Sequence, residues 1–241
     1  MEIVSFGETC LRLRGREGVV VTDAFPRIVG PTGRGLTADI ATYSHGDGQS
    51  TLGLSVESRR ALGTTARGTG GAKRRSGVKA DGHRVPTSLE SAFILDSPGE
   101  YEIHHVLITG VRTYRDEVKG AERGTNTTFV VELDGIHVVH LGDVGHLLTE
   151  DELEEIGAVD MVCVPIGGSL PAARAAELVA QLDAKLIVPM ALDGEAGSGA
   201  MDRFLHEMSV QQGEAAPKLS VTTSSLPTET TVVLLETRGR G

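Results

Sequence analysis

Short apolar segments separated by glycine-containing turns fill most of the first half of the chain. Segments of this length, bounded by Gly and polar residues, are typical of β-strands. They occur at residues 2–6, 10–13, 19–22, 39–44, 92–95, 106–111, 127–133 and 136–141. Asp134-Gly135 joins the last two segments and predicts a hairpin, because this dipeptide tolerates the positive φ angles of a type I′ turn. The first half is therefore predicted to be rich in β-structure.

The second half alternates between buried strands and amphipathic helices. Continuous apolar runs at residues 161–165 and 186–189 predict strands that are covered on both faces. A capping box opens one helix at Thr149, Pro171 opens a second, and a third carries Phe204, Leu205 and Met208 on its apolar face. Residues 219–221 and 231–235 are predicted to form a final strand pair. The two halves together predict a single domain over residues 1–241, with two β-sheets and helices packed outside them.

A basic, glycine-rich segment interrupts this pattern. Residues 57–84 contain eight Lys or Arg and two acidic residues, a net charge of +6 in a chain whose net charge is −10. Leu62 and Val78 are the only large apolar residues of this segment, too few to offset the entropy cost of ordering it. We therefore predict a disordered, flexible Gly/Arg-rich insertion over residues 52–88. Its composition also resembles translation in a shifted reading frame, a hypothesis that the coding DNA would test.

Composition and charge narrow the functional classes further. Two cysteines, Cys10 and Cys163, are too few for a disulfide framework or a thiolate metal cluster. The acidic net charge argues against nucleic-acid binding except through residues 57–84, where no Phe, Tyr or Trp is present to stack on bases. The chain begins without the long apolar run of a signal peptide or membrane span. We therefore expect a cytoplasmic protein without membrane contact that binds a small-molecule ligand or substrate, as a monomer or an oligomer.

Eight short motifs carry a resemblance to a known family. In chain order they are Gly7-Glu8-Thr9-Cys10-Leu11-Arg12, Ser44-His45, Pro98-Gly99-Glu100-Tyr101-Glu102-Ile103, Ile108-Thr109-Gly110, Asn126-Thr127, His140-Leu141-Gly142-Asp143-Val144-Gly145-His146, Val188-Pro189-Met190 and Ser224-Ser225-Leu226-Pro227. In these motifs the chain resembles the metallo-β-lactamase superfamily, and within it the small zinc-dependent hydrolases similar to ascorbate-phosphate lactonases. The resemblance implies an α/β fold, an αββα four-layer sandwich whose active site lies at one edge.

The metal-binding signature that this resemblance implies is largely replaced. The family's His-x-His-x-Asp-His motif holds two zinc ions that generate a hydroxide nucleophile. It falls on residues 45–50, where only His45 matches, while Asp47 stands in place of the second histidine and offers an oxygen ligand. His140 lies inside an apolar strand and is predicted to be a buried core residue rather than a ligand.

Three further positions depart from the family in the same way. Glu8, Arg115 and Ala191 stand where the family has histidines, and Arg115 would repel a dication if its side chain pointed inward. Asp143 matches the carboxylate that bridges the two metals. Of the roughly seven metal ligands that the resemblance implies, His45 and Asp143 are then retained. A zinc site needs about three protein ligands or more.

These departures favour a catalytically degenerate member of the family, in which zinc binds weakly or not at all. The alternative is an active metal-dependent hydrolase of the lactone or phosphoester type, with a rebuilt mononuclear site for Mn²⁺ or Mg²⁺. Its candidate ligands are Glu8, His45, Asp47, Asp143 and His146, and Asp47 and Asp143 are its candidate catalytic residues. A third hypothesis is a non-catalytic scaffold whose basic arm, residues 57–84, binds an anionic partner such as RNA.

Overall fold

The computed structural model describes residues 1–46, 85–192, 199–211 and 213–238. The predicted insertion up to residue 84, the basic arm within it, and Asp47 lie outside these ranges. The last residues assigned to the insertion enter a short 3-10 helix, Thr87–Leu89, whose Leu89 is fully buried.

The described residues form a chain of short strands with four α-helices. The strands are β1 (Glu2–Gly7), β2 (Cys10–Arg14), β3 (Val19–Thr22), β4 (Ile40–Thr42), β5 (Phe93–Leu95), β6 (Gly99–Ile103), β7 (Val106–Tyr114), β8 (Thr125–Leu133), β9 (Ile136–His140), β10 (Met161–Ile166), β11 (Leu186–Ala191), β12 (Leu219–Ser220) and β13 (Thr231–Val232). The helices are α1 (Pro26–Val29), α2 (Glu150–Ile156), α3 (Ala172–Leu182) and α4 (Ala200–Glu207). None of the helices in the described ranges is long and apolar enough to cross a membrane.

Two mixed sheets lie face to face between layers of helix. The first sheet has the strand order β12-β1-β2-β3-β4-β5 and the second the order β13-β11-β10-β9-β8-β7-β6. Apolar side chains that include Ile3, Leu13, Phe129 and Val188 fill the space between the sheets. Two further apolar clusters pack α1 onto the first sheet and α2, α3 and α4 onto the second. This is the αββα four-layer sandwich that the sequence motifs imply.

Local sequence signals for turns and caps are confirmed. Asp134 and Gly135 both adopt positive φ angles, 55° and 70°, between β8 and β9. Thr149 caps α2 with the reciprocal hydrogen bonds of a capping box, because its side chain accepts from the Glu152 amide while the Glu152 carboxylate accepts from the Thr149 amide. β10 is buried along its whole length, as its continuous apolar run predicts.

The predicted pairing of the two last strands is wrong. Glu2 of β1 pairs with Ser220 of β12 in the first sheet, whereas Leu186 of β11 pairs with Thr231 of β13 in the second. Each short strand completes the open edge of a different sheet. The connecting segment therefore passes from one sheet to the other instead of forming a hairpin.

Candidate active site

Loops that follow several strands of both sheets meet at one edge of the sandwich. They enclose a pocket of about 280 Å³. The charged and titratable side chains that line it are Glu8, Arg27, His45, Arg115, Arg123 and Asp143. The structure thus brings together three of the predicted site residues, Glu8, His45 and Asp143.

Asp143 lies at the centre of a hydrogen-bond network just after β9. Its Oδ2 accepts from Arg115 Nε at 2.8 Å, from Arg115 Nη2 at 2.6 Å and from the Ser169 hydroxyl at 3.0 Å. Its Oδ1 accepts from the Ser169 amide at 2.9 Å. The Asp143 side chain is only 4% exposed, so the guanidinium supplies the positive charge that this buried carboxylate requires.

Two glycines allow the backbone to come close enough for this network. A Cβ atom on Gly168 would lie 2.5 Å from Asp143 Oδ1. Gly142 has a φ of 65°, and a Cβ there would collide with the Ser44 and Asn126 side chains. Asn126 in turn accepts a hydrogen bond from the Asp143 amide at 3.1 Å, which fixes the turn that carries the carboxylate.

His45 follows β4, and its imidazole is linked through the Ser44 hydroxyl to the buried carboxylate of Asp23. The Ser44 hydroxyl donates to Asp23 Oδ2 at 2.6 Å, so its oxygen is left to accept from His45 Nδ1 at 2.7 Å. This network assigns the proton to Nδ1 and the free lone pair to Nε2. Burial lowers the pKa of His45, and the opposing attraction of Asp23 is smaller. His45 is therefore a neutral imidazole in this site.

Glu8 lies in the turn between β1 and β2 and is paired with Arg27. It adopts a left-handed conformation with φ at 47°. Its carboxylate forms an ion pair with Arg27, whose guanidinium also lies 5.3 Å from the centre of the Phe25 ring. Glu8 thus faces the pocket as one half of an ion pair.

Arg123 lines the pocket, and Asp116 holds the loop that carries it; neither residue was among the predicted site residues. The Asp116 carboxylate accepts four backbone hydrogen bonds, from the amides of Val118, Gly120, Glu122 and Arg123. Burial raises the pKa of Asp116, but these four amides together outweigh it, and the net pKa is lowered. The closed loop carries Arg123 to the rim of the pocket. The available signal was the position of Asp116 directly after Arg115, one of the residues that depart from the family.

The other two histidines considered in the sequence have structural partners. Tyr114 donates its amide to His146 Nε2 at 3.1 Å, and His146 Nδ1 donates to the Leu147 carbonyl at 2.7 Å. His146 does not line the pocket, so the structure does not bring it together with His45 and Asp143. His140 is 1% exposed and its Nε2 bonds to the Thr9 carbonyl at 2.8 Å. The prediction that His140 is a buried core residue is confirmed.

The donor atoms that the structure describes around the pocket do not by themselves supply the ligands of a tightly held dication. Across the described ranges, no group of three or more His, Cys, Asp or Glu side chains is placed to hold a metal ion. Asp143 Oδ2 already accepts from three donors, and Glu8 is paired with Arg27. A dication would have to displace one or both arginines and would meet their positive charge at close range.

An αββα sandwich with this loop-lined edge defines a metallo-β-lactamase-fold protein. The family model described as "Beta-lactamase superfamily domain" matches residues 2–191. The chain belongs to the metallo-β-lactamase superfamily and, within it, to a family of metal-dependent hydrolases.

Similar proteins support this assignment at two levels. A "UPF0173 metal-dependent hydrolase" from Methanoregula boonei is 26% identical over 196 residues, which cover 79% of this chain and 81% of that protein. A solved structure from Thermotoga maritima, assigned to the Zn-dependent hydrolases of the superfamily, is 30% identical, covers 97% of both chains and has a TM-score of 0.65. An isothiocyanate hydrolase from Delia radicum gut bacteria is only 10% identical, and with a TM-score of 0.59 it shows the shared fold alone.

Proposed function

We propose that this protein is a catalytically degenerate member of its hydrolase family, which keeps the sandwich and the pocket but has lost most of the metal centre. The supporting observation is the ion pair between Arg115 and Asp143. Asp143 is the carboxylate that the family resemblance assigns to bridging two metals. Arg115, which replaces a histidine of that resemblance, binds Asp143 through two nitrogens.

The remaining polar groups support the same proposal. His45 keeps an imidazole nitrogen directed away from its Ser44 partner, so one nitrogen ligand is retained. One imidazole cannot hold zinc tightly without further ligands. When bound in a site of this family, a metal ion supplies an activated water and polarises the substrate. The residues described around this pocket offer an arginine–carboxylate pair where that chemistry needs free carboxylate and imidazole donors.

Metal analysis of the purified, untagged full-length chain tests the proposal. The protein is loaded separately with Zn²⁺, the metal named for the Thermotoga maritima relative, and with Mn²⁺ and Mg²⁺, then dialysed and measured by elemental analysis. We expect well below one equivalent of each metal to be retained. Retention of one equivalent in the wild-type protein, lost in His45→Ala, would instead support the active hydrolase with a mononuclear site. If His45→Ala retains as much metal as the wild type, the metal is bound elsewhere. The proposal of a degenerate site is then still supported.

A further inference from the structure

We propose that the pocket is a receptor for a small anion that carries a carboxylate or phosphate group, with Arg123 as the residue that binds it. This inference deepens the proposed function and rests on it, since it takes the pocket as metal-free. Under this proposal the pocket binds a ligand of this class without hydrolysing it.

The balance of charge in the pocket favours an anion. Glu8 is neutralised by Arg27, and Asp143 is neutralised by Arg115. Among the described residues, no carboxylate pairs with the guanidinium of Arg123, which lines the same pocket. His45 adds no negative charge. Counted over the residues that the structure describes, the lining of the pocket therefore has one positive charge in excess, in a protein whose net charge is −10.

Hydrogen bonds of its backbone hold Arg123 beside the pocket. Its amide donates to Asp116 Oδ2 at 2.7 Å, and its carbonyl accepts from Arg115 Nη1 at 3.4 Å. Asp116 holds the whole loop by four amides, so the loop is closed before any ligand arrives. The loop therefore does not have to become ordered when the ligand binds, which lowers the entropy cost of binding relative to a flexible loop.

The size of the cavity and the chemistry of arginine limit the ligand. A cavity of about 280 Å³ is slightly smaller than the usual ligand pocket, which has a volume of about 300–1,000 Å³. The guanidinium presents a planar set of N–H donors that matches the paired oxygens of carboxylate or phosphate. The ligand group is accordingly a small oxyanion, either free or at the end of a small molecule.

Binding of two simple anions tests the inference on the full-length protein of measured metal content. Sodium phosphate and sodium acetate are titrated at constant ionic strength set by NaCl, and binding is followed by calorimetry and by the melting temperature. Saturable binding of phosphate but not of acetate indicates a phosphate-type ligand. Saturable binding of acetate but not of phosphate indicates a carboxylate ligand. We expect saturable binding of one of them with a dissociation constant below about 10 mM. Arg123→Ala should weaken it about tenfold or more, as expected for loss of a charge-assisted hydrogen bond.

Arg112→Ala is the matched control, because Arg112 is exposed on β7 and does not line the pocket. It should bind the anion as the wild type does, and Arg123→Lys should retain part of the affinity. An equal loss in Arg112→Ala and Arg123→Ala, or no saturable binding by metal-free protein, would overturn the inference while leaving the proposed function intact. Anion binding that requires a retained equivalent of metal and disappears with a chelator would overturn both.

Discussion

The guanidinium of Arg115 binds a single carboxylate oxygen of Asp143 through two nitrogens, at N···O distances of 2.8 and 2.6 Å. Asp143 is nearly inaccessible and Arg115 is 23% exposed, so the pair is largely removed from water. From the sequence, Arg115 was expected to repel a dication if it pointed inward. The structure shows that it points inward and that it also binds Asp143, the carboxylate to which the family resemblance assigns metal binding.

Removing Arg115 should destabilise the protein strongly. Arg115→Ala leaves the buried Asp143 carboxylate with Ser169 as its remaining side-chain partner, and an uncompensated buried charge costs about 3–5 kcal/mol. Urea unfolding of the variant should show a loss of that size.

Arg174→Ala provides the control for this prediction. Arg174 pairs with Glu117 at 2.9 Å, but the two side chains are 41% and 62% exposed. A pair this exposed contributes about 0–1 kcal/mol. If Arg115→Ala cost no more than Arg174→Ala, the Arg115–Asp143 pair would not be the compensation that the structure indicates. The double variant Arg115→Ala/Asp143→Ala should cost less than the sum of the two single changes.

A methyl group at Gly168 should disturb the carboxylate of Asp143. The added Cβ would lie 2.5 Å from Asp143 Oδ1, so either the carboxylate or the loop has to move. Overpacking of this kind costs about 1–3 kcal/mol, and we expect Gly168→Ala to lower the unfolding free energy by that amount. Gly213→Ala is the control, because a Cβ there meets no atom within 4 Å. Equal stability of the two variants would contradict the prediction.

The loop that Asp116 holds should loosen in acid. Although burial raises the pKa of Asp116, its four amide partners lower it below the ordinary value of 3.8. A carboxylate with a lowered pKa stabilises the folded state above its unfolded pKa and ceases to do so as the pH falls through the folded pKa. The amides of residues 118–123 should therefore be protected from hydrogen exchange at neutral pH and lose protection well below pH 3.8.

Asp116→Asn tests the cause of that protection. An amide keeps one oxygen acceptor where the carboxylate has two, so the variant should exchange faster at neutral pH and show a smaller change in acid. Glu100→Gln, at an exposed position of β6, should leave exchange of the loop unchanged. Protection of residues 118–123 that is identical in Asp116→Asn and the wild type would show that the carboxylate does not hold the loop.

Features set by a few adjacent residues could be predicted from the sequence. The Asp134-Gly135 turn and the Thr149 cap depend on backbone angles and hydrogen bonds within four residues, so their signals are local. The short strands β12 and β13 were placed nearly correctly but paired wrongly. Strand pairing depends on which sheet edge is open, and that edge is formed by residues far away in the chain.

The sequence by itself determined the family and the layered fold. It also showed that other residues stand at most of the positions where the resemblance expects metal ligands, because each of these features requires only the identity of residues in order. Only the tertiary structure decided what the replacements do. Arg115 and Asp143 lie 28 positions apart, and His45 and Asp23 lie on loops after different strands. Ion pairs and hydrogen bonds between such residues depend on angstrom-scale distances that arise only when both sheets are packed. The arginine-lined pocket could therefore be recognised only in the folded chain.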